Sequence, residues 1–275
     1  MRHTDTLKRA LVGTRERMLV KRAVKGMPAE FDGATLLATA IREALSGEVT
    51  APEAQWVERI EKLRRDLEAS RDTVVMTDFG AGSADNVTSE ARARTGPAVE
   101  KRVSEMCAHA SKSRFWGLLL FKLIRKFRPA AGLELGTCLG ISAAYQAAAL
   151  ELNGRGRLVT IEGSASLATL AARNLSTLGL PSVSVATGRF EDRLGEVLDS
   201  LGQLDYAFID GHHDEHATEV YFERILPRCS GSALIVFDDV DWSEGMARAW
   251  GRISRHASVR HAVDLGRIGI CILAP

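Results

Sequence analysis

No run of this sequence is long and apolar enough to cross a bilayer as a helix. The most apolar stretch, Phe115-Trp116-Gly117-Leu118-Leu119-Leu120-Phe121, falls far short of the roughly 20 residues a span requires. Cysteine is scarce: Cys107, Cys138, Cys229 and Cys271 are scattered and form no CxxC pair. That argues against a disulfide framework or a thiolate zinc site and suits reduced thiols in the cytoplasm. Charge of either sign is not in excess. With 36 basic and 35 acidic residues the formal net charge is +1, which gives no electrostatic reason to expect nucleic acid as a partner. No internal repeat or low-complexity tract is present, so solenoid and disordered classes are set aside. No apolar segment follows Met1-Arg2-His3-Thr4-Asp5, so no secretory signal is expected and the protein reads as cytoplasmic, without membrane partners. At 275 residues, 45% hydrophobic and 26% charged, the chain suits one large domain plus an appendage.

What is present centres on Leu133-Glu134-Leu135-Gly136-Thr137-Cys138-Leu139-Gly140-Ile141-Ser142. An apolar run ends in an acid, a glycine turn follows, and an alanine-rich helix begins at once, which predicts strand, tight loop and helix N-terminus. Gly136 and Gly140 let the backbone turn sharply and approach a flat ligand, and the free N–H groups of the helix start favour an anionic or carboxylate-bearing one. The loop predicts a nucleotide-like ligand. It is not the G-x-G-x-x-G of a dinucleotide site, which weakens a nicotinamide reading.

Before the loop, residues 1 to about 75 read as helices, with Leu37, Ile41 and Leu45 on one stripe and Trp56, Ile60, Leu63 and Leu67 on the next. Residues 1–95 are expected to form a cap or dimerisation arm, or a lid that selects substrate. The basic cluster Arg15, Arg17, Lys21, Arg22 and Lys25 reads as a solvated face. Asp78-Phe79-Gly80-Ala81-Gly82-Ser83-Ala84-Asp85-Asn86 reads as a linker or a gate over a site, and 87–97 as polar. A helical pattern returns over 99–127, its Lys122 and Lys126 side read as facing water, until Pro129 stops it.

After the loop, strands are expected at 133–136, 158–162, 183–186, 206–210, 233–238, 259–265 and 268–273, and helices over 141–152, 166–178, 191–201, 216–226 and 244–255. The alternation predicts an α/β fold, a Rossmann-like, seven-stranded, mostly parallel sheet with a C-terminal antiparallel hairpin turning at Gly266-Arg267, preceded by an N-terminal helical extension. Ligands in such sheets bind at the carboxyl ends of the strands, where Glu134, Gly136, Glu162, Asp210, Asp238 and Asp239 fall. Glu162 suits two ribose hydroxyls. Asp210, Asp238 and Asp239, brought together, repel one another without a cation, and oxygen-only ligands suit Mg²⁺ or a similar hard ion. Alternatively, Asp210 alone contacts a cofactor while Asp238 and Asp239 cap the next helix. His213 is the candidate general base, or else opens a helix. Zinc at His212 and His216 lacks a third ligand.

Glu134-Leu135-Gly136-Thr137-Cys138-Leu139-Gly140, with Glu162, then Phe208-Ile209-Asp210-Gly211-His212-His213 and Val236-Phe237-Asp238-Asp239, resembles the class I S-adenosylmethionine-dependent methyltransferases, in their catechol- and macrocin-O-methyltransferase-like branch. The resemblance covers about 97–275 and implies a methyltransferase domain over 96–275. Cys138 departs from it, standing where the family's loop has glycine. By the resemblance, Gly136, Thr137, Gly140 and Ser142 hold the methionine end of S-adenosylmethionine, with Glu134 orienting the loop. Gly188 and Phe190 edge the adenine, His212 touches the adenosine side and Ser111 meets the cofactor carboxylate. Asp210 and His213 act in catalysis; Asp210, Asp238 and Asp239 hold the ion; Trp242 walls the pocket or else anchors a helix in the core. The implied reaction is O-methylation of a small-molecule hydroxyl assisted by the ion. The alternatives are a metal-independent N- or O-methyltransferase driven by His213, and an inactive cofactor-binding partner protein. The helical arm suits a homodimer.

Overall fold

The computed structural model describes residues 17–25, 27, 31–79 and 96–274. Arg15 and residues 80–95, with most of the glycine-rich segment after Asp78, lie outside them. In chain order the elements are α1 (Asp32–Ser46), α2 (Ala51–Ala69), β1 (Thr73–Thr77), β2 (Ala98–Arg102), α3 (Val103–Ala110), α4 (Arg114–Phe127), β3 (Ala131–Leu135), α5 (Ile141–Asn153), β4 (Arg157–Glu162), α6 (Ala165–Leu178), β5 (Val183–Thr187), α7 (Phe190–Leu201), β6 (Leu204–Ile209), α8 (Glu215–Ile225), β7 (Cys229–Phe237), α9 (Glu244–Ile253), β8 (Val259–Asp264) and β9 (Gly269–Leu273). Among the described residues no helix is long and apolar enough to cross a membrane.

Seven strands form one sheet in the order β5-β4-β3-β6-β7-β9-β8. The first five run parallel and β9 pairs antiparallel with both β7 and β8, as the sequence predicted. Period-2 alternation sends Leu133, Leu135, Ala207, Ile209, Ile235 and Phe237 to one face, under α7, α8 and α9. The opposite face takes Tyr206, Phe208, Leu234 and Val236 under α4 and α5. The chain builds outward from β3 to β5, then returns to lay β6 on the other side of β3. That reversal opens a crevice at the carboxyl ends of β3 and β6.

Two stretches differ from the sequence reading. Residues 73–77 and 98–102 are not helical but pair as an antiparallel hairpin, Thr73 opposite Arg102. The β-branched run Thr73-Val74-Val75 favours a strand, but its partner lies beyond a long intervening segment, so local periodicity could not reveal the pairing. The expected helix over 99–127 is therefore a strand, then α3, then a break at residues 111–113, then α4. The basic side of α4 does not face water. Lys122 is buried with its ammonium 2.8 Å from Glu53 and 3.0 Å from Glu43, Arg125 lies 3.2 Å from Glu53, and Lys126 pairs with Glu43. The acids come from α1 and α2, which also bury Leu37, Ile41 and Ile60 against Leu119, Phe121 and Tyr145 in one continuous core. A charge stripe reads as solvated only while its distant partners are unknown.

Candidate active site

Register places the site. Leu135 pairs with Ile161 and with Ile209, and Ile209 with Phe237. The next residue on each strand is then Gly136, Glu162, Asp210 and Asp238, one row across four adjacent strands. The backbone ladder continues into that row: the Gly136 N–H donates to Ile161 (3.0 Å), Asp210 to Leu135 (2.9 Å) and Asp238 to Ile209 (2.9 Å). With strands about 4.8 Å apart, the row spans roughly 14 Å. Among the described residues, five non-glycines adopt left-handed backbone, and four of them, Cys138 (φ 49°), His212 (62°), His213 (43°) and Asp239 (53°), stand at this edge. Each costs about 1–2 kcal/mol, and strain of this kind gathers at functional sites.

On the β4 side the Glu162 carboxylate is fixed by two backbone N–H groups, Cys138 to Oε2 (2.8 Å) and Ser164 to Oε1 (3.0 Å). Burial raises its pKa, with those N–H groups opposing. Each oxygen keeps lone pairs for a further donor. Thr137 hydrogen-bonds Thr160 through their hydroxyls (2.6 Å), and Gly140 (φ +82°) opens α5, its N–H donating to the Thr137 carbonyl (2.8 Å). Gly136 is glycine because its left-handed backbone (φ +98°) brings the Asp210 carbonyl to 1.9 Å of where a Cβ would stand. Glu134 lies inside β3, fully buried, its Oε1 accepting from Gln146 Nε2 (2.7 Å). Burial pushes it up to about 7. Ser142 and Ser111 join Gly136, Thr137, Cys138 and Asp210 around one cleft. Gly188 is left-handed (φ +137°) beside Arg193. The Phe190 ring packs over Gly211 and meets His212 and Tyr221 edge-on, at 5.3 and 5.6 Å between centroids. His212 Nδ1 lies 2.5 Å from the Tyr221 hydroxyl, which itself donates to Glu191. A larger groove, about 390 Å³, runs between α6 and edge strand β5, and its lining holds no ionisable side chain.

On the β6–β7 side the structure brings Asp210, Asp238, Asp239 and His213 together. His213 Nε2 lies 3.6 Å from Asp239 and 3.9 Å from Asp210, with the exposed Trp242 ring 6.2 Å from the imidazole. Helix capping falls to other residues: Ser243 caps α9 and Asp214 caps α8. Neither Asp238, Asp239 nor His213 is spent there.

Sequence reasoning passed over two cations in this cluster. Lys112, in the break between α3 and α4, buries its ammonium against Asp238 and 3.2 Å from Asp210. Arg267, in the β8–β9 turn, places Nε 2.8 Å from Asp239 and 3.9 Å from Asp238. The demand of three acids for a cation was visible in the sequence, but its source was not. Burial works against the Lys112 charge, yet Asp210, Asp238 and Asp239 outweigh it and raise its pKa. Burial also opposes ionisation of Asp238, but Lys112 and Arg267 hold it at about 2. Burial drives Asp210 well above the usual carboxylate range, with Lys112 opposing. Burial and then the Asp238 charge push Asp239 up to about 6, and burial holds His213 near 4. At neutral pH His213 is therefore an uncharged imidazole between two aspartates.

A divalent ion does not fit this arrangement. Asp238 Oδ2 and Asp210 Oδ2 are turned onto the Lys112 ammonium and Asp239 Oδ1 onto Arg267, and among the described residues no three His, Cys, Asp or Glu side chains are disposed to hold a metal.

Residues 133–240, the strand ends just described, match a family model described as a methyltransferase domain. The chain is 37% identical over 110 residues to a catechol O-methyltransferase of Niastella koreensis, an alignment covering 39% of this chain and 48% of that protein. The chain thus spans about half the length of this curated relative. The chain also resembles two solved structures. The O-methyltransferase TomG of Streptomyces achromogenes, solved with S-adenosylmethionine, is 27% identical at a TM-score of 0.53, over 60% of this chain and 82% of that one. A Bacillus cereus O-methyltransferase, solved with S-adenosylhomocysteine, is 25% identical at a TM-score of 0.53, over 60% and 83%.

Proposed function

We propose that the protein transfers the methyl group of S-adenosylmethionine to a hydroxyl of a small-molecule acceptor, with His213 as general base. The observation that carries this reading is the row Glu162–Gly136–Asp210–Asp238. It sets a carboxylate with spare acceptor capacity at one end and an imidazole among aspartates at the other. A span of roughly 14 Å accommodates a nucleoside with an amino-acid arm.

The cofactor supplies an electrophilic methyl on sulfur. Glu162, its rotamer fixed by Cys138 and Ser164, would accept from two ribose hydroxyls. Gly136, Thr137, Gly140, Ser142 and Ser111 would surround the amino-acid arm, and Gly188, Phe190 and His212 would border the base. His213, uncharged at neutral pH, takes the proton of the acceptor hydroxyl, and the carboxylate of Asp239, 3.6 Å away, stabilises the imidazolium that results. Trp242 offers an aromatic wall to the acceptor beside His213. The divalent ion that the three acids suggest has no part in this reading, because Lys112 and Arg267 already answer their charge.

The test is calorimetry with S-adenosylhomocysteine on the full chain and on Glu162→Gln, together with transfer of labelled methyl to a panel of catechols and other hydroxylated compounds. Two charge-assisted hydrogen bonds of about 1.5–3 kcal/mol set the expectation of at least a tenfold loss of affinity in the variant. Failure of the wild-type chain to bind, or equal binding by both, refutes the proposal.

A further inference from the structure

We propose that the ammonium group of Lys112 is the resident cation of the carboxylate cluster, standing where a divalent ion would otherwise be needed, so that methyl transfer by this chain is independent of divalent metal. The inference rests on the function proposed above and concerns how the acceptor side of that same site is built.

Three aspartates carry three negative charges when ionised, and the structure supplies the counter-charge from the chain itself. Lys112 Nζ hydrogen-bonds Asp238 and lies 3.2 Å from Asp210, while Arg267 Nε lies 2.8 Å from Asp239. A hard ion would require those carboxylate oxygens at about 2.0–2.6 Å from its own centre, on the spot the nitrogen holds. The ammonium is not a surface group that can swing aside, since the Lys112 side chain is only 5% exposed. Its backbone is pinned as well. The Lys112 carbonyl accepts from Arg64 Nη2 (2.6 Å), Arg64 pairs with Glu61 (3.0 Å), and Glu61 accepts from the Tyr145 hydroxyl (2.7 Å). The break between α3 and α4 thereby becomes a mount, fixed by α2 and α5, that delivers one ammonium to the strand ends.

An ammonium has three donors. One goes to Asp238, Asp210 lies 3.2 Å away, and Lys112 shares its cleft with Gly136 and Ser142, beside the cofactor loop. Its charge acts on the acceptor side through the aspartates it holds in place beside His213, which takes the acceptor's proton. Lys112 keeps its own three protons throughout and serves as a positioning residue through charge, the task a Lewis acid performs elsewhere.

The experiment is a titration of chelator-treated full chain with Mn²⁺ alone, reading free Mn²⁺ by electron paramagnetic resonance. Wild type is expected to bind none up to about 1 mM, the weak limit of protein sites for hard cations. Lys112→Ala, which removes the ammonium and leaves the carboxylates, is expected to gain one Mn²⁺ site at least tenfold tighter than any wild-type binding. Adding Asp238→Asn to Lys112→Ala is expected to abolish that site. A purely structural lysine would not produce the gain, so a folded Lys112→Ala that stays blind to Mn²⁺ overturns the proposal. Stoichiometric Mn²⁺ binding by wild type that is lost in Asp238→Asn also overturns it, and this arm decides the matter should Lys112→Ala fail to fold. Cofactor calorimetry on the same wild-type sample separates the two proposals: absent S-adenosylhomocysteine binding defeats the methyltransferase reading whatever the Mn²⁺ result.

Discussion

Glu134 offers a test of the electrostatics behind the loop. Its carboxyl lies wholly inside β3, and burial moves it from an ordinary 4.5 to about 7. The folded protein therefore holds a proton up to about pH 7 that the unfolded chain releases near 4.5. Across that interval the native state binds more protons, so stability falls as pH rises and the loss is complete above 7. At about 1.36 kcal/mol per pH unit the penalty amounts to about 3 kcal/mol, of which about 2 kcal/mol develops above pH 5.5. Glu134→Gln removes the titration with little change of shape. Its carbonyl can still accept from Gln146 Nε2, and its amide can donate to the hydroxyls of Thr160 and Ser142. Urea unfolding of both proteins at pH 5.5, 7 and 8.5 is the assay. The variant should gain on wild type by about 2 kcal/mol between the lowest and highest pH, whereas Asp210 and Asp239 titrate alike in both and cancel. Parallel stability profiles would refute the account of Glu134 as a carboxyl kept neutral by burial.

Two further outcomes are expected. His213→Asn should lower kcat by about 10²–10⁴ while S-adenosylhomocysteine affinity, measured by calorimetry, stays within a few-fold, and an unchanged kcat removes His213 from catalysis. Lys122→Met should cost about 3–5 kcal/mol in urea unfolding, because Glu43 and Glu53 lose their shared buried partner. A cost below about 1 kcal/mol would show that these acids reach water.

The site's acidic row was legible because each member is a local signal. An apolar run that stops at Glu162, Asp210 or Asp238 marks a strand end, and parallel pairing aligns such ends whatever the loops between them do. The glycine loop was legible too, although Gly136 serves the close approach of the Asp210 carbonyl as well as any ligand. The β1–β2 hairpin was not, since each of its strands is short and its partner is distant in sequence. The buried face of α4 failed for a related reason: Lys122 resembles any solvated lysine until α1 and α2 fold over it.

Sequence by itself determined the alternating α/β order, the antiparallel closing hairpin and which acids stand at the sheet's carboxyl edge, because apolar period, turn chemistry and strand ends are written within a few neighbouring residues. Only the tertiary structure decided what neutralises those acids. Lys112 stands 126 residues from Asp238 in the chain, yet meets it in space. Charge compensation acts through space at a few ångströms, and no local pattern records which distant cation the fold will carry into contact.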